Sequence, residues 1–345
     1  MSLFGPSPDQ PPAQAETVPV GPVLSIFDPV YVGVDEHGEH TYLPLIYRNM
    51  LIGGEPGGGK SSLLSTLIAH AALASDVRLC LLDGKQVELG LWAPCADVFV
   101  GPDLPYAIAT LRRLQTVMDN RYRHLLTRRQ RKISRGHDLK AIVCAVDEIA
   151  YYSATVGTKP EQEQFIALLR DLVARGRAVG IIVIAATQRP SVDIIPTSLR
   201  DIFSWRYATR CTTEASSDIV LGRGWAEAGY NAARIAPEDQ GVGYLIAEGG
   251  TPRLVKAAYL SDDDITRVAR FAAWTRNHTT TPPDTNPTDT DTDTTGPAPA
   301  DPADPAAPAD PADLADPDAG PAGIPVPTRR LRRPSPRRQP VEVTR

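Results

Sequence analysis

The sequence predicts an α/β domain built on a mostly parallel central sheet. Three observations carry that prediction. Apolar strand-like runs alternate with segments of helical periodicity between residues 50 and 188, the order that yields parallel strands joined by helices. The runs are continuously apolar, as strands buried on both faces must be. Residues 54–61 read GEPGGGKS, between the apolar run MLIG and the helical stretch SSLLSTLIAHAALA. That is the strand–loop–helix setting of a phosphate-binding loop.

The elements follow in chain order. The β-prone runs VLSIF, VYVGV and TYLPLIY surround the turn DEHGEH between residues 23 and 47 and predict a small antiparallel flap ahead of the core. MLIG, the glycine loop and a helix over 61–74 come next. VRLCLLD (77–83) reads as a buried strand ending in a carboxylate, and DVFVG (97–101) as a further short strand. Residues 104–127 have the periodicity of a long amphipathic helix. AIVCAVDE (141–148) is an apolar strand closed by two acids. A helix over 161–180 stops at a glycine, and GIIVIAATQ (180–188) is a buried strand with a polar end. Strand-like WRYATRC (205–211) and VGYLIAE (242–248) and a short helix over 262–275 complete the domain.

The ordered domain is therefore expected over residues 23–277. Residues 1–22, rich in Pro, Gln and Ala, are expected to be disordered. Residues 278–345 are expected to be a disordered Thr/Pro/Asp/Ala-rich linker with a basic end. That end carries Arg329, Arg330, Arg332, Arg333, Arg337, Arg338 and Arg345. It reads either as a solvated tail or as a weak anchor for DNA or anionic headgroups.

Bulk properties narrow the function. A formal net charge of −5 over 345 residues gives no global basic field, so any nucleic-acid contact must be local. Cys80, Cys95, Cys144 and Cys211 lie far apart without CxxC spacing, which predicts buried free thiols rather than disulfides or zinc. No run approaches the length of a membrane span, and the first residues lack the pattern of a signal peptide. The expectation is a cytoplasmic protein whose membrane or septal recruitment, if any, runs through a membrane-anchored partner.

The chemistry gathers at strand tips. Gly54, Glu55, Pro56, Gly57, Gly58, Gly59, Lys60, Ser61 and Ser62 form a cradle whose backbone N–H groups turn toward phosphates. Lys60 is placed to reach the β- and γ-phosphates, and the Ser61 hydroxyl to ligate Mg²⁺. Asp147 ends a buried strand, where an acid beside such a loop holds Mg²⁺ through water. Glu148 is placed to deprotonate the attacking water. Gln188, on a neighbouring strand tip, can sense the γ-phosphate or that water.

These residues bring a family resemblance. From about residue 30 to residue 265 the chain resembles the FtsK/SpoIIIE motor domain, a RecA-like hexameric ATPase that translocates double-stranded DNA. LLDGKQVEL (81–89) resembles that family's "DPK…EL" segment through Asp83, Lys85, Glu88 and Leu89. MDNRY (118–122) resembles its "EMERRY" helix. Thr187, Gln188, Arg189 and Pro190 stand as its TQRP, and residues 204–227 resemble the segment that follows.

The resemblance implies ATP and Mg²⁺ as cofactors, double-stranded DNA as partner, and a homo-hexamer with nucleotide at the interfaces. A neighbouring subunit would supply an arginine to the γ-phosphate. Arg206 and Arg210 are the first candidates, with Arg175 and Arg177 next. Departures matter too. Glu55-Pro56-Gly57-Gly58 replaces a common Thr-Gly-Ser, so a carboxylate either slows nucleotide binding or points to solvent. Tyr47-Arg48-Asn49-Met50 replaces a His-Leu-Leu lead-in. The pattern fits the small FtsK-like transfer proteins of actinobacterial conjugative or integrative elements. Type VII-like protein secretion and chromosome segregation are the alternatives. The cluster Arg128, Arg129, Arg131, Lys132 and Arg135 is either a DNA phosphate contact or a solvated loop.

Overall fold

Residues 30–35 (β1, Val30–Asp35) and 40–43 (β2, His40–Leu43) form the hairpin foreseen around the DEHGEH turn. In this computed structural model residues 24–277 are described, and the disorder expected for 1–22 and 278–345 falls on segments outside the described residues. The phosphate-loop unit comprises β3 (Met50–Gly53) and α1 (Lys60–Leu73), which leads into β4 (Val77–Leu82). Then come β5 (Val98–Val100), α2 (Leu104–Thr127), β6 (Ala141–Val146), α3 (Lys159–Arg175) and β7 (Ile181–Thr187). The last third holds α4 (Thr197–Arg200), β8 (Trp205–Thr209), α5 (Glu214–Leu221), β9 (Val242–Ala247), β10 (Arg253–Ala257) and α6 (Asp262–Asn277).

The ten strands make one sheet in the order β2-β1-β10-β9-β8-β3-β7-β6-β4-β5. The six from β8 to β5 are parallel. The four from β9 to β2 are antiparallel to their neighbours. Every residue of β3, β6 and β7 is buried, which is why these strands read as unbroken apolar runs. Strand order moves outward from β3 to β4 and β5 and reverses before β6 and β7. The right-handed crossover rule then puts α1 on one face and α2 and α3 on the other, and α2 does pack on α3 while α6 packs on α1. The parallel strands end together at one edge, where such sheets bind ligands.

Three expectations are corrected here. The hairpin is the outer part of the central sheet rather than a separate flap, because β10 bridges β1 to β9. Pro252 and the exposed Arg253 and Lys256 hid β10 from sequence periodicity. VLSIF forms no strand. Ser25 Oγ and the Ile26 N–H both donate to the Asp76 carboxylate (2.5 and 2.9 Å), which takes the donors a ladder would need. The helix expected over 161–180 starts at Lys159, because Glu161 accepts the Thr158 N–H (2.7 Å) in a capping box behind Pro160. It ends at Arg175, and a 3₁₀ turn over 176–179 leads to Gly180 at φ 74°. The four cysteines are buried and free, as expected.

One polar side chain stitches the centre. Asn49 is fully buried just before β3. Its Nδ2 donates to the Val173 carbonyl (2.8 Å) and its Oδ1 accepts the Val183 N–H (2.7 Å). Asn49→Ala strands one buried donor and one buried acceptor, so a loss of about 2–4 kcal/mol is expected in urea unfolding.

Candidate nucleotide site

The glycine loop bends back on the sheet at three points. Gly54, Gly57 and Gly59 have φ of 155°, 78° and 83°, a region that side chains disfavour. A Cβ on Gly54 would lie 2.0 Å from Thr209 Oγ1, and one on Gly59 would lie 2.2 Å from the Gly241 nitrogen. The loop therefore rests on the end of β8 and on the turn before β9, with no room for a side chain. Gly59 is the N-cap of α1, whose first turn carries Lys60, Ser61 and Ser62.

Three charged groups are buried together at this edge: Lys60, Asp147 and Glu148 are each under 8% exposed. Lys60 Nζ folds into the loop and donates to the carbonyls of Gly54 (2.9 Å) and Glu55 (2.8 Å). Burial pulls the ammonium below its ordinary pKa, against the attraction of Glu148 and Asp147. Glu148 is fixed by three donors. Thr187 Oγ1 (2.6 Å) and the Ala150 N–H (3.1 Å) reach Oε1, and the Gln188 N–H (2.8 Å) reaches Oε2. So Gln188 touches Glu148 through its backbone. Thr187, noted in the sequence only as part of TQRP, is the side chain that orients the acid.

Asp147 Oδ2 is buried without a hydrogen-bond partner. Burial first, then the carboxylates of Asp83, Glu88 and Glu148, push its pKa up to about 7. Asp83 itself is a buried cap that accepts the Lys85 and Leu89 N–H groups (2.9 and 2.8 Å). An unpartnered carboxylate oxygen buried among other acids at a strand tip suits a hard divalent cation. Among the described residues no three His, Cys, Asp or Glu side chains converge into a metal cage.

Without nucleotide or metal, Asp147 makes stability pH-dependent. Its carboxyl holds a proton more tightly in the folded chain than in the unfolded one, so folded stability falls as pH rises from about 4 to about 7. Asp147→Asn should gain about 3 kcal/mol over the parent chain between pH 5 and pH 8 in urea unfolding.

The candidate arginines Arg175, Arg177 and Arg210 are held by partners within their own chain. Arg210, a candidate for a neighbour's γ-phosphate, instead ion-pairs with Glu55 of its own loop. Thr212 Oγ1 donates to the other oxygen of Glu55 (3.0 Å), and the Glu55 N–H donates to the Arg210 carbonyl (2.8 Å). The carboxylate of Glu55 is thus neutralised beside the cradle. It neither faces open solvent nor stands as a bare charge. Arg206 sits within β8 opposite Leu51, half-buried against Gly222, and burial lowers its pKa. Arg175 is held by Asp119 (3.0 Å) and Asp171 (2.5 Å). Arg177 donates to the Tyr47 carbonyl (2.8 Å) and approaches Glu248 (3.4 Å). Both precede β7 and so lie at the edge opposite the cradle.

The basic cluster is also at that far edge, in the segment before β6. Arg128 pairs with Asp138 (2.6 Å), Arg135 pairs with Asp28, and Lys132 lies 4.4 Å over the Tyr47 ring. Arg129 and Arg131 remain exposed.

A glycine loop at the C-terminal edge of a parallel sheet, with a buried lysine and two buried acids on the next tips, defines a P-loop NTPase fold. Residues 9–141 match the family model described as FtsK/SpoIIIE family. The chain is 28% identical over 299 residues to DNA translocase FtsK of Corynebacterium efficiens, covering 76% of this chain and 30% of that protein. It is 27% identical over 279 residues to DNA translocase FtsK of Haemophilus influenzae, covering 70% and 50%. The chain is similar to FtsK-type proteins, and it spans at most half the length of these two relatives. Among solved structures, the pCW3 conjugation coupling protein TcpA has a TM-score of 0.60 at 21% identity, over 70% of each chain. The cytoplasmic domain of the Thermomonospora curvata type VII secretion ATPase EccC has a TM-score of 0.58 at 23% identity, over 73% of this chain and 31% of that one. These two likenesses are of fold alone. Among the described residues no helix is long and apolar enough to cross a membrane.

Proposed function

We propose that this chain hydrolyses ATP to translocate double-stranded DNA, in a ring of six copies with nucleotide at the interfaces. The observation that carries the reading is the burial of Lys60, Asp147 and Glu148 around one glycine loop. Lys60 binds the β- and γ-phosphates once it leaves the Gly54 and Glu55 carbonyls. Glu148, aimed by Thr187 and the Gln188 N–H, takes the proton of the attacking water. Ser61 and, through water, Asp147 would hold Mg²⁺, which neutralises phosphate charge when bound. Transfer of a plasmid or integrative element is the proposed setting, supported by the relatives' translocase names and by the fold shared with a conjugation coupling protein. A membrane-anchored partner would recruit the ring.

Arg206 and Arg210 are the proposed candidates to act in trans; Arg210 must leave Glu55 and Arg206 its half-buried seat to do so. Exposed Arg129 and Arg131 are the proposed DNA phosphate contacts.

ATP hydrolysis by the purified chain, with and without double-stranded DNA at moderate salt, tests the reading. DNA should stimulate turnover, and Arg129→Ala/Arg131→Ala should weaken DNA binding and flatten its salt dependence by about two charges. Absence of both stimulation and DNA retention would reject the motor. The fold shared with EccC makes protein secretion the rival, and hydrolysis indifferent to DNA but raised by a polypeptide would favour it.

A further inference from the structure

A groove of about 340 Å³ opens at the far edge, where α2 ends. Tyr122, Leu125 and Leu126 give it apolar walls, and Arg123, Gln130 and Arg131 give it polar ones. Leu126 is 77% exposed. Arg123, Arg129 and Arg131 are exposed and make no ion pair among the described residues, whereas Arg128 and Arg135 are paired. The turn that carries these cations is strained. The Arg129 N–H donates to the Leu126 carbonyl (3.1 Å) and the Gln130 N–H to the Leu125 carbonyl (2.9 Å), which closes α2. That closure puts Arg129 at φ 55°, where glycine is the usual residue. Backbone outliers of this kind gather at ligand sites.

The described chain ends at the same edge. Arg276, in the last turn of α6, donates to the Asp97 carboxylate (2.8 Å) just before β5. Residues 278–318 come next in sequence and hold ten Asp and no Lys or Arg. Leu314 is the single large apolar residue between 278 and 323, in the stretch DPADLADPD (310–318). An apolar slot between guanidinium groups suits one leucine between carboxylates. The reach is sufficient. Thirty-seven residues separate Asn277 from Leu314, and a coil of that length spans roughly 30–37 Å. The starts of β5 and β6 are two strand spacings apart, roughly 10 Å.

We propose that residues 310–318 dock in this groove of their own chain, with Leu314 against Tyr122 and Leu126 and with Asp313 and Asp316 on Arg123 and Arg131. Docked, the segment covers Arg131 and screens Arg129, the two proposed DNA contacts. That consequence rests on the DNA reading above, and the docking does not.

Fluorescence anisotropy of a labelled peptide of residues 308–320 tests the docking without DNA. The peptide should bind the full-length Leu314→Ala chain about fivefold more tightly than the parent, whose own segment fills the groove at about millimolar effective concentration. Adding Leu126→Ser, at an exposed position, should remove that binding. Unchanged affinity in Leu314→Ala, or peptide binding that survives Leu126→Ser, would overturn the docking. A parent that gains peptide affinity on dilution would hold a second copy's segment, which overturns docking within the chain. Double-stranded DNA should also bind Leu314→Ala about fivefold more tightly than the parent. Asp284→Asn/Asp289→Asn/Asp291→Asn should leave DNA affinity within about twofold, because those charges are screened at moderate salt. Equal gains from both variants would make the tail a diffuse charge and overturn the groove. Peptide binding as expected in a chain that retains no DNA would uphold the docking and reject the DNA contacts alone.

Discussion

Glu148→Gln should lower ATP turnover by at least about a hundredfold and leave nucleotide binding in place, the usual scale for losing a positioned general base. The substitution suits the site. Glutamine keeps the length and one carbonyl oxygen for the Thr187 hydroxyl or the Gln188 N–H, both of which now donate to Glu148. What it removes is the ability to take a proton. Single-turnover hydrolysis and equilibrium binding of ATP check the two halves separately. A variant that still hydrolyses near the parent rate would move the base to another residue. A variant that no longer binds would mean that Glu148 holds the cradle together rather than acting on water.

The second large effect is on the fold. Gly59→Ala should cost about 3 kcal/mol and lower Tm by roughly 6–12 °C. Two terms add. A left-handed backbone with a Cβ costs about 1–2 kcal/mol, and the new methyl would overlap the Gly241 backbone at 2.2 Å. The Gly241 N–H also donates to the Gly58 carbonyl (3.2 Å), so the turn cannot retreat without losing that bond. Calorimetric melting without nucleotide measures the fold term. A Tm within a degree or two of the parent would show that the turn before β9 yields, and that the loop is less constrained than its packing indicates.

The order of strands and helices was legible because it is a local property. MLIG, VRLCLL, AIVCAV and IIVIAAT are buried on both faces, so each announces itself as an apolar run. Helix α2 was legible to the residue: Asp103 caps it by accepting the Tyr106 N–H (2.8 Å), and Pro105 fits its first turn. Strand β10 and helix α5 were not read. The first carries charge at exposed positions, and the second is an eight-residue helix whose start rests on Thr213 accepting the Ser216 N–H (3.1 Å).

The site divides along the same line. The amino-acid order alone specified a glycine loop closed by Lys60 and Ser61, and placed Asp147 and Glu148 at the end of a buried strand, because each is a pattern within ten neighbouring residues. It could not specify partners far along the chain. Glu55 meets Arg210 and Thr212, Glu148 is aimed by Thr187, and Gly59 lies under Gly241. Between 39 and 182 positions separate these pairs, and no periodicity spans such gaps. They meet because the parallel strands end at one edge and bring their loops together. Sheet closure therefore turned Glu55 from a stray charge beside the phosphates into half of an ion pair with Arg210.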